Sequence, residues 1–508
     1  MDQLSNVNDI SVSVLGISPL LLAAVVVTLL LHYKHTLSLS MFEVSNRTYA
    51  LLVSLAVLVL ASLSPFLHFS VHPPGGTDFY FARALNIVRF GVFGVGHTPG
   101  ALFPPGYSFL LLPATVLLGD SQWAFIITNL LLLVGISLVI RSLLQGLGLT
   151  QGQANLVSLV IIIYPNRLLS ILLPLSDIPF SMVYLCSFLL MMLSVRHPER
   201  RHLPIGAGLV AGFAALVRAT GLPLLLPLAV GLWWPRSAPS GAEGAELIRR
   251  LRARNLALLA ASAVLVLLPW SIRNVALFGK VIPVSNNFGV NLAIGNNPAA
   301  GVTHSSNINS PTQDLTEWWR EGGDTAWNEA QIDSFLFRKG LKYIQDRPMS
   351  FMVRGLGKIF HTLASDASTF GMHQTYDNLS TLVYSIAEWL HLGPSATAFA
   401  YAVYATAYRF LFVVNNAFYY TVFALMLILL FRQRRRWNGP EVAYLLVILI
   451  TCGLAFVLFG NSRFKEPIPA LTLILFVLQM KKPDDQAGSL PITEDGRPGV
   501  SSSHLKKD

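Results

Sequence analysis

The stretch DIPFSMVYLCSFLLMMLSVRHPERR, residues 177–201, decides the fold. From Ile178 to Val195 it carries no charge. It then breaks into Arg196, His197, Pro198, Glu199, Arg200 and Arg201. About 20 apolar residues cross a hydrocarbon core of ~30 Å as a helix. A helix is the natural spanning form because it satisfies its own backbone hydrogen bonds. The basic cluster that closes the run marks the cytoplasmic end, since Lys and Arg are retained on that side.

The rest of the chain repeats this pattern. Of 508 residues, 53% are hydrophobic and 12% charged, about half the ~25% charge of soluble proteins. Apolar runs near span length recur from Ser13 to Leu478, too long and continuous for barrel strands. The net charge of +10 sits in short segments between spans, as the positive-inside bias expects, so it does not signal nucleic-acid binding. Cys186 and Cys452 both lie in apolar runs and imply no disulfide framework. The first apolar run lacks a basic leader and a small-residue cleavage site, so it does not read as a cleaved signal.

Fixing the basic segments 196–201, 236–254 and 432–436 inside orders the whole chain. Spans are expected at roughly 14–32, 49–67, 122–140, 153–173, 177–195, 203–218, 220–235, 255–275, 409–431, 441–460 and 465–480. The expected fold is an all-α polytopic membrane protein with about 11 (10–13) transmembrane helices. Outer-face surface helices and a modest outer loop domain complete it. Residues 1–48 form an extra N-terminal span and cytoplasmic loop. The segment 49–275 is the transmembrane core, with a first outer loop at 68–121. An outer-face region follows at 276–408, then C-terminal spans at 409–480 and a polar cytoplasmic tail at 481–508. The apolar stretch 105–118 is short for a span and reads as a re-entrant or surface helix. Asn/Gly-rich text from Asn286 to Pro298 reads as turns. An amphipathic helix near 325–346 ends before Pro348. The apolar stretches 351–364 and 379–405 read as lying on the membrane or dipping into it.

Several polar residues then need a reason. Asp78 is the one acidic residue between Ser70 and Gly119. It reads as an interfacial loop carboxylate or, with Phe79, Tyr80 and Phe81 anchored at the headgroups, as a general base. Ser176 or Asp177 reads as a helix N-cap, and Asp177 alternatively as a second acid at an outer cavity. Arg218, between two apolar runs, either snorkels to the interface or faces a cavity or partner, because a buried Arg costs roughly 2.5–3.5 kcal/mol on insertion scales. Arg273, Arg463 and Lys465 fall on the outer side, against the positive-inside bias. An anionic ligand would explain them; pairing with Glu466 is the other explanation for Arg463 or Lys465. The outward histidines have no helical ligand spacing, and Trp318-Trp319 reads as an interface anchor before it reads as a sugar platform. No phosphate-cradling Gly-rich loop appears, so nucleotide-fuelled chemistry has no support.

Taken in order, these pieces resemble a known family. They are Thr77-Asp78-x-Tyr80-x-Ala82 with Phe103-Pro104-Pro105-Gly106-Tyr107, then Ala215-Leu216-Val217-Arg218-x-x-Gly221-Leu222. Pro269-Trp270-x-x-Arg273-Asn274, Phe278-Gly279-Lys280 and Gly289-x-Asn291-Leu292-x-x-Gly295-Asn296-Asn297-Pro298 follow. Tyr343-Ile344-x-x-x-Pro348-x-x-Phe351 with Lys358, and Ser462-Arg463-Phe464-x-x-Pro467, complete the set. Over roughly residues 50–480 the chain resembles GT-C-type glycosyltransferases. Within them it resembles bacterial relatives of the dolichyl-phosphate-mannose-protein mannosyltransferases and the lipid A aminoarabinose transferases. Many relatives carry a second acid directly after the first-loop Asp; here that position is Phe79.

The resemblance implies transfer of a hexose or pentose from a polyprenyl-phosphate donor to a glycan, lipid or protein hydroxyl. Transfer would occur at the outer face of a bacterial cytoplasmic membrane and would invert the anomeric centre. It implies Asp78 as base and Arg463, Lys465, Arg273, Arg218 and Lys358 as donor-phosphate ligands. Tyr80, Asp177, Asn291 and Asn296 would line the acceptor cavity. No cofactor is required, no metal site is assigned, and Phe79 weakens a divalent-metal version. A polytopic transporter or lipid flippase is the competing reading of outer cations and an intramembrane Arg. Against it, paired halves with matching broken helices are not visible. A membrane scaffold is a third reading, favoured if Asp78 is dispensable.

Overall fold

The computed structural model describes residues 23–26, 43–63, 79–164, 167–168, 173–234, 242–298, 300–302, 327–364, 393–433 and 438–479. The expected first span lies mostly outside them. Asp78, Trp318-Trp319 and the tail 481–508 lie wholly outside them.

The described chain is helical throughout, apart from one short hairpin. Helix α1 (Asn46–Leu63) is followed by α2 (Phe79–Phe90), which opens the described part of the first outer loop. Strands β1 (Gly94–Val95) and β2 (Thr98–Pro99) pair antiparallel, with Gly94 opposite Pro99 and Val95 opposite Thr98. Gly96, at φ 57°, turns the chain between them. Then come α3 (Gly106–Leu118), α4 (Trp123–Gly146), α5 (Gln151–Ile163), α6 (Asp177–Arg196), α7 (His202–Val217) and α8 (Leu225–Trp233). The long α9 (Ala242–Phe278) leads to α10 (Phe288–Gly295), α11 (Glu329–Asp346) and α12 (Pro348–Ala364). Helices α13 (Pro394–Gln433), α14 (Gly439–Val457) and α15 (Pro467–Gln479) close the described chain.

Four helices among the described residues, α4, α6, α9 and α14, are long and apolar enough to cross a membrane. The other expected spans appear as shorter apolar helices or within longer ones. The chain is therefore an all-α, multi-pass membrane protein. Helix α3, the doubtful stretch 105–118, is 13 residues long and carries Pro113 inside it. At 1.5 Å per residue it reaches about 20 Å, short of a full crossing. Helix α13 starts at Pro394, ahead of the span start expected at 409. Pro348 ends α11 as expected, but it also opens α12, because Pro is tolerated in the first turn of a helix.

Helix α6 sits at the centre, with nearly every residue from Asp177 to Ser194 buried. Helices α7 and α9 approach closely through Gly208 and Gly212, a small-xxx-small pair. A Cβ on Gly212 would lie 2.8 Å from the Ala263 carbonyl oxygen. The start of α3 is pinned in a similar way. A Cβ on Gly106 would lie 2.7 Å from the Leu216 carbonyl carbon and the Val217 nitrogen. The Pro104-Pro105-Gly106 turn of the first outer loop is thus seated on the last turn of α7, immediately before Arg218.

Candidate active site

Three motifs distant in sequence meet at the N-terminal end of α6. Asp177 is its first residue. Its Oδ1 accepts a hydrogen bond from Arg218, and its Oδ2 accepts from Arg463 through Nε at 2.8 Å and also through Nη2. Arg218 is in extended backbone where α7 gives way to the 3-10 turn Ala219–Gly221. Arg463 belongs to a second 3-10 turn, Ser462–Lys465, which starts where the Asn461 side chain accepts the Arg463 N–H at 3.0 Å. The Asp177 side chain is only 5% exposed, and those of Arg218 and Arg463 are 14% and 19%. Two cations share one carboxylate, so the cluster carries one net positive charge. A positively charged, largely enclosed pair of guanidinium groups bridged by one carboxylate suits an oxyanion ligand.

Tyr80 of α2 joins this centre. Its hydroxyl oxygen accepts from Ser176 Oγ at 3.0 Å. Its ring packs edge-on against Phe103 and Tyr107, with centroids 5.8 and 5.5 Å away. Tyr107 donates to Asn129 Oδ1 at 2.8 Å, and Asn129 donates to the Leu173 carbonyl at 3.0 Å. Aromatic packing and these two bonds tie α2, α3 and α4 to the segment that leads into α6. The Arg218 guanidinium also lies 6.0 Å from the centre of the Phe464 ring.

The remaining expected ligands fall in other places. Lys358 of α12 is fully buried and donates to Asn296 Oδ1 at 3.2 Å. Asn296 in turn donates to the carbonyls of Leu292 and Val457. Burial, helped by the charge of Arg354, pulls the Lys358 ammonium down to about 8. Helix α12 also reaches the Arg463 turn, because Thr362 Oγ1 accepts the Asn461 N–H at 3.0 Å. Lys465 is buried with its ammonium 3.6 Å from the centre of the Tyr419 ring, a cation–π contact. Asn291 is half-buried on α10. Arg273 stacks on Trp270 at 4.5 Å and donates to the carbonyls of Gly100 and Phe93. It also donates to Asn274 Oδ1 at 2.8 Å, so its contacts lie with the Phe93–Gly100 segment and its own helix.

Glu466 forms a buried ion pair with Arg167 at 3.6 Å, while Arg463 takes Asp177. Asp177 and Ser176 make no side-chain helix cap: Ser176 stands at the cap position with no capping bond. Sequence reasoning missed Arg167, Arg83 and Glu329, and read Ser176 as a helix cap and not as the partner of Tyr80. Arg83 lies within the first-loop motif and Glu329 opens the expected amphipathic helix, so both were visible as charges next to assigned residues. Among the described residues, no three His, Cys, Asp or Glu side chains converge as a metal-ligand set.

No family model and no curated protein sequence match the chain. Solved structures do. One is the archaeal oligosaccharyltransferase AglB from Archaeoglobus fulgidus in complex with an inhibitory peptide and a dolichol-phosphate. The match has a TM-score of 0.45 at 13% identity and covers 85% of this chain and 50% of that one. Another is ArnT from Cupriavidus metallidurans bound to undecaprenyl phosphate, with a TM-score of 0.34 at 15% identity over 84% of this chain and 78% of that one. The chain spans about half the length of the archaeal oligosaccharyltransferase structures it matches.

Proposed function

We propose that the chain is a membrane glycosyltransferase that moves one sugar from a polyprenyl-phosphate donor to an acceptor hydroxyl at the outer face. The observation that supports this best is the Asp177 cluster. Arg218 and Arg463 are gathered on one carboxylate with a net positive charge, and Tyr80 bonds to the neighbouring Ser176. Tyr80 is two residues after Asp78 in the sequence.

In this reading Asp78 accepts the proton of the acceptor hydroxyl. The oxygen attacks the anomeric carbon, and the bond from that carbon to the phosphate oxygen breaks. The polyprenyl phosphate leaves with the electron pair, and the anomeric configuration inverts. Arg218 and Arg463 stabilise the charge that develops on the phosphate, an electrostatic contribution often the largest in such sites. Asp177 holds the two guanidinium groups in place and is not a second base. Lys358, Lys465 and Arg273 stand further out; Asn291 lies on α10, and Asn296, the partner of Lys358, caps that helix. The sugar is a hexose or pentose; the acceptor is a glycan, a lipid or a protein. The membrane is a bacterial cytoplasmic membrane with the site facing outward.

The test is reconstitution of the purified chain in lipid nanodiscs with radiolabelled polyprenyl-phosphate hexoses and pentoses and a mixed acceptor pool. Glycosyl transfer supports the proposal when free polyprenyl phosphate appears in equal amount. In sealed vesicles, movement of the labelled lipid between leaflets with no glycosylated product would sink it and favour the transporter reading.

A further inference from the structure

Glu329 opens α11 inside a reciprocal capping box formed by Asn328 and Gln331, yet its own carboxylate serves a different element. Oε2 accepts the backbone N–H groups of Ala101 and Leu102, at 2.6 and 2.7 Å. Oε1 pairs with Arg83 Nη2 at 3.4 Å. Arg83 sits in the middle of α2, is 5% exposed, and stacks on the Phe103 ring at 4.4 Å. One carboxylate from the outer region thus grips both α2 and the irregular segment that leads into α3. Gly100 makes room for it: a Cβ there would lie 2.8 Å from Oε2.

The rest of that segment is held just as fully. The Gly100 N–H donates to the Phe93 carbonyl, and the Gly100 carbonyl accepts from Arg273 at 2.7 Å. The Ala101 carbonyl accepts the Asn286 N–H at 2.9 Å. Residues from α9, from the turn before α10 and from α11 therefore converge on three consecutive backbone units of the first outer loop. A carboxylate accepting two N–H bonds and an Arg contact at once is a strong and specific clamp. Its target is the layer of α2 and α3 that carries Tyr80 to Ser176.

We infer that Glu329 is a positioning residue: it locks the first outer loop to the outer helix α11 and so fixes Tyr80 against the Asp177–Arg218–Arg463 centre. The catalytic consequence rests on the glycosyl-transfer reading; the mechanical one does not. Because the clamp spans the outer region and the loop that precedes α3, an acceptor bound on the outer region has a direct physical route to the reacting centre.

The experiment pairs hydrogen exchange with kinetics on the full chain in nanodiscs, for Glu329→Ala, Glu329→Gln and Arg83→Met. Glu329→Ala is expected to speed amide exchange in 79–90 and 100–105 by about 10-fold or more, with α6 and α7 unchanged. The kcat for transfer is expected to fall about 10- to 100-fold, with the donor KM unchanged. Glu329→Gln, which keeps an acceptor oxygen, falls between the two. Arg83→Met loosens 79–90 while leaving 100–102 protected, and it serves as the second probe if Glu329→Ala does not fold. Unchanged exchange in 79–90 for both Glu329→Ala and Arg83→Met overturns the clamp. Faster exchange with an unaltered kcat overturns the positioning role. Failure of the transfer reading shows separately, as absence of turnover in the unsubstituted protein, and leaves the exchange result standing.

Discussion

Asp177 and Arg463 are 286 residues apart in sequence, and their side chains meet through an Oδ2 to Nε hydrogen bond of 2.8 Å. The same carboxylate accepts from Arg218. This shared acid makes one centre out of the start of α6, the end of α7 and the turn before α15. It also sets the stability cost of disturbing that centre.

Replacing Asp177 with Ala leaves two largely buried guanidinium groups facing each other. Removing one partner of a buried pair costs about 3–5 kcal/mol. Thermal unfolding of Asp177→Ala in detergent micelles should show a loss in that range, and Asp177→Glu a smaller one. An unchanged melting temperature in Asp177→Ala would mean that the two cations are balanced by something other than this acid.

Arg463 is the cation expected to grip the donor phosphate most directly. A charge-assisted hydrogen bond is worth about 1.5–3 kcal/mol, equivalent to about 10- to 100-fold in binding. Arg463→Ala should raise the apparent donor KM by that factor, and Arg463→Lys by less, because Lys lacks the planar fork. Titration of the variants with polyprenyl phosphate, read by quenching of intrinsic fluorescence, checks this. An apparent affinity equal to that of the unsubstituted protein removes Arg463 from the phosphate site.

Much of the frame could be read along the chain. Span ends follow from where the arginines stand, α11 from its amphipathic text and its stop at Pro348, and the shortness of α3 from its 13 residues. The partners of the charges could not. Arg463 has Glu466 three residues away, and local reading offers that pair. Folding instead gives Glu466 to Arg167, with Ser181 beside it. Arg273 reads as a phosphate ligand because it is an outer cation, whereas it also donates to the carbonyls of Gly100 and Phe93. Such pairings depend on which helix ends lie side by side, a long-range property that periodicity does not encode. The close approach of Gly208 and Gly212 to α9 emerges only in the structure.

Lys358 gives the chemistry a pH signature. Burial lowers its ammonium to about 8, so its charge is present below that pH and lost as pH rises through it. If Lys358 contributes to the donor field, donor affinity weakens as pH rises through about 8. Lys358→Arg, which stays charged, should remove that inflection. Donor KM measured across the range is the check; a flat profile in the unsubstituted protein assigns Lys358 to packing alone.

Asp333 gives stability a separate pH signature. It accepts the Val290 N–H at 2.9 Å, yet burial raises its carboxyl from 3.8 to about 6. Its folded form therefore prefers the proton. The contribution to stability is fully present below pH 3.8 and is lost as pH rises through about 6. Lys280, which bonds Ser334 on the next position, works against this shift. Asp333→Asn cannot ionise, so its melting temperature should vary less than that of the unsubstituted protein between those two pH values. Equal slopes in the two proteins would show that Asp333 does not titrate there.

The central claim is that Asp78, the acid just ahead of α2, takes the acceptor proton. The measurement is sugar transfer from polyprenyl-phosphate donor by Asp78→Asn in nanodiscs, beside its melting temperature and its polyprenyl-phosphate affinity. The expected result is normal folding and normal lipid binding with kcat reduced by at least about 100-fold, the scale of a lost general base. Full turnover in Asp78→Asn would contradict it.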